Sequence, residues 1–276
     1  MKKTYICCSV IILWSLAISP AFTFEEAVPR YALIIGNANY QYTPLKNPIN
    51  DAKAMAKKLR SLRYDVTELH DQNPQQMQEA LEHFYESIKE DNAISLFYFS
   101  GHGVQANNIN YLLPVNSNIA SFDTLTSKAL STNKVLSELK KSKSHQHIII
   151  LDACRNNPFK VLLNNEGVVR SAVIEGNIAE HNGLAAVKAP AGTLIAYATE
   201  PGKAAFDGSG KNGTYTSALL SYIGKSETAE ELFKKVRQQV LSKTNNKQLP
   251  WEHSSLTEKF YFSPPANEEV PDIPNF

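Results

Sequence analysis

Two side chains suited to breaking a peptide bond each follow an apolar run. His102 stands in Ser100-Gly-His-Gly103, directly after Ala93-Ile-Ser-Leu-Phe-Tyr-Phe99. Cys154 stands in Asp152-Ala-Cys154, directly after His147-Ile-Ile-Ile-Leu151. A thiol attacks a carbonyl only as the thiolate, so it needs a base or a cationic neighbour. Imidazole changes charge near neutral pH and can supply either. Glycines on both sides of His102 let backbone and substrate come close. The backbone amides of Gly103 and Cys154 are candidate donors to a developing oxyanion, each worth roughly 2.7–4 kcal/mol of barrier when well placed. A histidine in a glycine-rich loop is, alone, more often structural than catalytic. Complementary residue types at the ends of two separate apolar runs argue for catalysis.

The elements that must position these residues follow from periodicity. Residues 31–35, 64–69, 93–99, 147–151, 193–198 and 256–262 read as strands, and 110–115 as a hairpin arm. Residues 50–62 carry Ala52, Met55, Ala56 and Leu59 at helical spacing. Residues 74–88 carry Met77, Leu81, Phe84 and Ile88 on one face, with Asn73 as N-cap and Pro74 at the first helical position. Further helices are predicted over 132–139, 215–223 and 229–242. Continuous apolar strands alternating with helices predict an α/β fold, with a mostly parallel sheet covered on both faces. In such sheets ligands bind beyond the carboxyl ends of the strands. The spacing places His102 and Cys154 just past two such ends.

Charge and composition exclude several functions. The formal net charge is +1 with both signs spread along the chain, so no one-signed field points to nucleic acid. Neither a G-x-G-x-x-G nor a G-x-x-x-x-G-K-[ST] phosphate loop follows the first strand, which disfavours a nucleotide binder. Residues 1–23 read as a secretory signal. Lys2 and Lys3 precede an apolar run over 5–18 that is short for a membrane span, and Ser19-Pro20-Ala21 and Ala21-Phe22-Thr23 are both possible cleavage sites with small residues at the key positions. The expected location is therefore periplasmic or secreted. If the segment is not cleaved, it tethers the chain to a membrane instead. Cys7 and Cys8 fall inside that run, so Cys154 is the one thiol expected in the mature chain, and no internal disulfide is expected. Residues 156–190 lack periodicity, and the proline-rich, acidic 263–276 reads as a disordered tail.

With these pieces in place, the chain resembles the caspase-like cysteine peptidases, nearest their metacaspase, paracaspase and bacterial orthocaspase branch. The matching segments are Ala32-Leu-Ile-Ile-Gly-Asn37, Tyr98-Phe-Ser-Gly-His-Gly103, Ile150-Leu-Asp-Ala-Cys-Arg-Asn156, Tyr197-Ala-Thr-Glu-Pro-Gly202 and Gln248-Leu-Pro250. The 52 residues from His102 to Cys154 fit the spacing of about 50 in the caspase signature. The resemblance implies a three-layer α/β/α sandwich around a mostly parallel sheet of about six strands. It divides a peptidase domain over 24–262 into a large-subunit region (30–156), an intersubunit loop (157–191) and a small-subunit region (192–262). It implies that His102 is the base, that Cys154 is the nucleophile of a thioacyl intermediate, and that no third acidic member is needed.

Specificity is also read through the resemblance. Asp152, two residues before the cysteine, matches enzymes that cut after Arg or Lys, and Asp51 and Asp207 match the further acidic residues of their S1 pocket. Carboxylates attract a guanidinium through charge-assisted bonds and repel an acidic side chain. Asp51 can alternatively be a helix-capping residue, and Asp207 a turn residue before Gly208. The expected partners are thus protein or peptide substrates with a basic P1 residue. Arg155, Lys160, Arg170 and Lys188 are candidate self-cleavage sites. No cofactor or metal is expected, since Glu166, Glu175 and Glu180 lack calcium-loop spacing and His145 and His147 lack further zinc ligands. The competing reading is an inactive caspase-like module that binds peptides or partners. Oligomeric state is left open.

Overall fold

The computed structural model describes residues 28–41, 43–89, 92–154, 184, 187–200, 203, 205–206, 208 and 210–264, with Cys154 described through its backbone. The expected secretory signal, most of the intersubunit loop and nearly all of the tail lie outside these residues.

The sheet path has six strands. In spatial order they are β2 (Asp65–His70), β1 (Arg30–Gly36), β3 (Ile94–Ala106), β6 (Gln146–Cys154), β7 (Thr193–Tyr197) and β8 (Trp251–Ser254). The first five are mutually parallel, and β8 is antiparallel at the edge. Two short strands, β4 (Ile109–Leu112) and β5 (Leu130–Ser131), extend from the far end of β3 as an antiparallel ribbon. This is the expected mostly parallel sheet of about six strands.

Because side chains alternate across a strand, each central strand feeds two cores. Leu96 and Tyr98 of β3 and Ile148 and Ile150 of β6 enter one, and Phe97, Phe99, Ile149 and Leu151 enter the other. The first core is closed by α1 (Pro48–Ser61), α5 (Thr214–Tyr222) and α6 (Ala229–Lys243). The second is closed by α2 (Pro74–Ile88) and α4 (Thr132–Lys141). A smaller cluster joins the ribbon to α3 (Phe122–Lys128) through Leu125. Burying each large apolar side chain contributes roughly 1.5–3 kcal/mol, so two such layers hold the strands in fixed register. The helix boundaries obey their caps. Asn73 accepts from the Gln76 amide while the Gln76 side chain accepts from the Asn73 amide, and Pro74 opens α2. At Gly36 a Cβ would lie 2.4 Å from the Pro48 carbonyl oxygen. Only glycine lets the N-terminus of α1 sit this close to the end of β1, which brings Asp51 to the strand ends.

Two expectations are corrected. Ser100–Gly103 and Cys154 do not lie past the ends of strands. Cys154 is the last residue of β6, and Ser100–Gly103 lies inside β3, which leaves its parallel neighbours and continues as the antiparallel partner of β4. The last strand is Trp251–Ser254 rather than 256–262. Phe262 instead packs edge-to-face against both Phe260 and Phe233 of α6, and Tyr261 keeps one isolated bridge to Thr228.

At the opposite end of the sheet, His147 is buried with its Nδ1 2.7 Å from the Ser95 hydroxyl. Burial, aided by the neighbouring His145, pushes its pKa down from 6.5 to about 4. The neutral ring therefore stabilises the fold above pH 6.5. That contribution, at most about 3 kcal/mol, is lost as pH falls from 6.5 towards 4, where the unfolded chain binds the extra proton. Urea unfolding at pH 7 and pH 4.5 should show a larger acid loss for the native sequence than for His147→Gln. Equal losses would show that His147 carries none of the pH dependence.

Candidate active site

The parallel register of β3 and β6 runs for nine pairs and ends with His102 opposite Cys154. Neighbouring strands lie about 4.8 Å apart, so the two backbones are direct neighbours. The two residues singled out by the sequence are thus brought together at the carboxyl end of the sheet.

His102 is 4% exposed and is held from several sides. Its amide donates to the Tyr40 hydroxyl at 2.9 Å, and its carbonyl accepts from the Leu113 amide at 2.9 Å. The Tyr40 hydroxyl in turn donates to the Leu113 carbonyl, and its ring lies 4.4 Å from the imidazole, centroid to centroid. Gly101 makes this possible, because a Cβ there would come within 2.6 Å of the Tyr40 oxygen and 2.9 Å of Phe99. The imidazole Nε2 is 2.7 Å from the Thr43 carbonyl oxygen and 3.0 Å from the Thr43 hydroxyl. A carbonyl only accepts, so Nε2 carries the proton and Nδ1, which is buried, is the basic nitrogen of the neutral ring.

Beside this pair a narrow slot is walled by Leu45, Pro48 and Phe206 and floored by Asp51, Ser100 and Asp152. Two of the three acidic residues expected to recognise a basic side chain therefore converge, and Asp207 lies outside the described residues. Asp51, 1% exposed, sits in the first turn of α1. Its Oδ1 accepts from the Asn212 side chain and the Gly213 amide, both at 2.9 Å. Gly213 is the N-cap of α5, so Asp51 both lines the slot and caps that helix across space, where a carboxylate is favoured. Asp152 Oδ2 accepts from the Thr216 hydroxyl at 2.6 Å. Beneath both carboxylates lies Tyr98, whose pKa is raised well above its ordinary value by burial first and then by Asp51 and Asp152. The Tyr215 hydroxyl is raised in the same way, by burial and then by Asp152.

The slot wall has its own support. Gln248, fully buried, accepts from the Phe206 amide at 3.0 Å and donates to the Ala198 carbonyl at 2.8 Å. It ties the loop after β7 to the chain entering β8. Of the candidate self-cleavage sites, Lys188 is described and exposed. It stands between Val187, bonded to Tyr197 and His253, and Ala189, bonded to His253 and Ser255. Arg155, Lys160 and Arg170 lie outside the described residues, as do Glu166, Glu175 and Glu180. Among the described residues no three His, Cys, Asp or Glu side chains group as metal ligands.

Sequence reasoning missed Tyr40, Thr43, Ser100 and Thr216. Tyr40 and Thr43 carried one usable signal: they follow the first strand, at the sheet edge where the site was expected. Ser100 and Thr216 look like ordinary strand and helix residues, and only the packing of α1 and α5 over the strand ends reveals their partners.

The layers and the residues gathered at the strand ends define an α/β sandwich with a thiol and an imidazole on adjacent strands. Residues 29–261 match the caspase domain, and the chain belongs to that family of peptidases. A probable protease from a Desulfuromonadales bacterium is 28% identical over 151 residues, which cover 52% of this chain and 17% of the relative. The match thus takes in less than a fifth of that relative's length.

The close packing at Gly101 gives a direct test. Gly101→Ala should destabilise the fold by about 1–3 kcal/mol in urea unfolding, since Tyr40 or β3 must shift to admit the methyl group. An unchanged midpoint would mean that the Tyr40–His102 packing yields freely.

Proposed function

We propose that the protein is a cysteine endopeptidase that cleaves after Arg or Lys, with His102 and Cys154 as its catalytic dyad. The observation that carries this reading is the end of the β3–β6 register, which sets His102 opposite Cys154 directly beside a slot floored by Asp51 and Asp152.

In this reading the Cys154 thiol passes its proton to His102 Nδ1. The Thr43 carbonyl holds the Nε2 proton and so steadies the ring in both its neutral and its charged form. No carboxylate is needed for that task. The thiolate adds to the substrate carbonyl, and the Gly103 and Cys154 amides stabilise the oxyanion. As the intermediate collapses, His102 returns the proton to the leaving amine and a thioacyl bond remains on Cys154. Water, deprotonated by the same imidazole, then releases the acid and restores the thiol. The basic P1 side chain enters the slot, where desolvated carboxylates give a guanidinium charge-assisted bonds. Asp207, which matches the same pocket only through the family resemblance, is proposed as a third contact.

The decisive measurement uses fluorogenic peptides with Arg, Lys, Asp or Asn at P1, with the native sequence beside Cys154→Ala. Cleavage after Arg and Lys should be seen, and it should vanish in the variant. Equal activity in both proteins would refute the thiol mechanism. Asp152→Ala should lower kcat/KM for arginine peptides by the equivalent of about 2–5 kcal/mol, the usual result of removing one partner of a buried charge pair, while the thiol remains open to alkylation. An unchanged kcat/KM would remove Asp152 from the pocket.

A further inference from the structure

Thr216 links the slot to the interior of the sheet. It lies in the first turn of α5 and is fully buried. Its hydroxyl is 2.6 Å from Asp152 Oδ2 and 2.6 Å from the Tyr98 hydroxyl. A threonine hydroxyl has a single proton, and a carboxylate can only accept. The proton of Thr216 therefore goes to Asp152, and Tyr98 donates to Thr216. Tyr98 is fully buried, and its surroundings hold its proton on, so its role as donor is fixed. The chain has one direction, from β3 through α5 to β6: Tyr98 O–H to Thr216 O–H to Asp152.

Such a chain sets the rotation of the Asp152 carboxylate. Proton-bearing donors on one oxygen fix the plane in which the other can meet a ligand. That plane matters more for Arg than for Lys. A guanidinium is a rigid, planar fork whose paired N–H bonds need a matched carboxylate plane, whereas an ammonium is a compact charge with freely turning donors.

We infer that Thr216, backed by Tyr98, is a positioning residue for substrate selection, orienting Asp152 so that the slot favours arginine over lysine. This rests on the proposal that the slot receives the P1 side chain. Asp51 is oriented from the same stretch of chain, by Asn212 and Gly213. The segment 212–216 thus sets both carboxylates of the slot floor.

The test is Thr216→Val, which keeps the shape and removes the hydroxyl, beside Thr216→Ser, which keeps the hydroxyl. With arginine peptides the valine variant should raise KM at least about 10-fold while kcat stays within about 3-fold. The arginine-to-lysine ratio of kcat/KM should fall at least about 5-fold. The serine variant should restore both, and Tyr98→Phe should lower the ratio by a smaller factor. A residue that only supports the fold would not separate KM from kcat or change the ratio. An unchanged ratio in both Thr216→Val and Tyr98→Phe, or a ratio that serine fails to restore, overturns the inference.

A second measurement separates this inference from the reading beneath it. On a Cys154→Ala background, fluorescence anisotropy follows binding of a fluorescein-labelled peptide ending in arginine carboxamide. Binding that weakens at least about 10-fold in Thr216→Val and recovers in Thr216→Ser supports the positioning role, even if the native sequence cleaves nothing. Cleavage after arginine together with binding indifferent to Thr216 overturns the positioning role alone. Absence of both binding and cleavage overturns both.

Discussion

The pairing of β3 with β6 is the constraint on which everything at the strand ends depends. In a parallel pair, register neighbours present their side chains on the same face. Tyr98 and Ile150, then Ser100 and Asp152, then His102 and Cys154 follow one another up two adjacent strands. A slip of one residue would send the opposite set of side chains to that face. The apolar residues below oppose the slip, because Phe97, Phe99, Ile149 and Leu151 are all buried in the other core. The hydrophobic layers therefore set which polar residues meet at the top of the sheet.

The same face carries an electrostatic tension. Two carboxylates, Asp51 and Asp152, stand over buried tyrosine hydroxyls in a slot whose described lining has no Lys or Arg. Each carboxylate is partly compensated by donors from residues 212–216, and Tyr98 and Tyr215, held protonated first by burial, are held further by these charges. Hydrogen-bond donors stabilise buried anions without cancelling their charge.

How much of this was legible depended on where the signal lay. The buried parallel strands announced themselves as apolar runs, and α2 announced its start through Asn73 and Pro74. The edge strand Trp251–Ser254 did not, since it is partly exposed, has three polar residues in four, and gains its order from antiparallel bonds to β7. The aromatic alternation of 256–262 imitated a strand, although Phe260 and Phe262 are buried against a helix. At the site, His102 and Cys154 stood out because each sits in a short motif at the end of an apolar run, whereas the slot role of Asp152 came through family resemblance. Asp51 emerged only through family resemblance, because its partners Asn212 and Gly213 are far away in the chain. Thr43 was hidden for a different reason. It acts through its carbonyl, a group that every residue has, so no residue type could flag it.

That last feature bears on how the site tolerates change over evolutionary time. The oxygen that fixes the tautomer of His102 belongs to the main chain, so no codon substitution can delete it. Drift at position 43 costs at most the hydroxyl contact. Insertions and deletions between β1 and α1 would displace that oxygen. At position 43 length outweighs identity, whereas Tyr40 of the same loop must keep the ring and hydroxyl that hold His102.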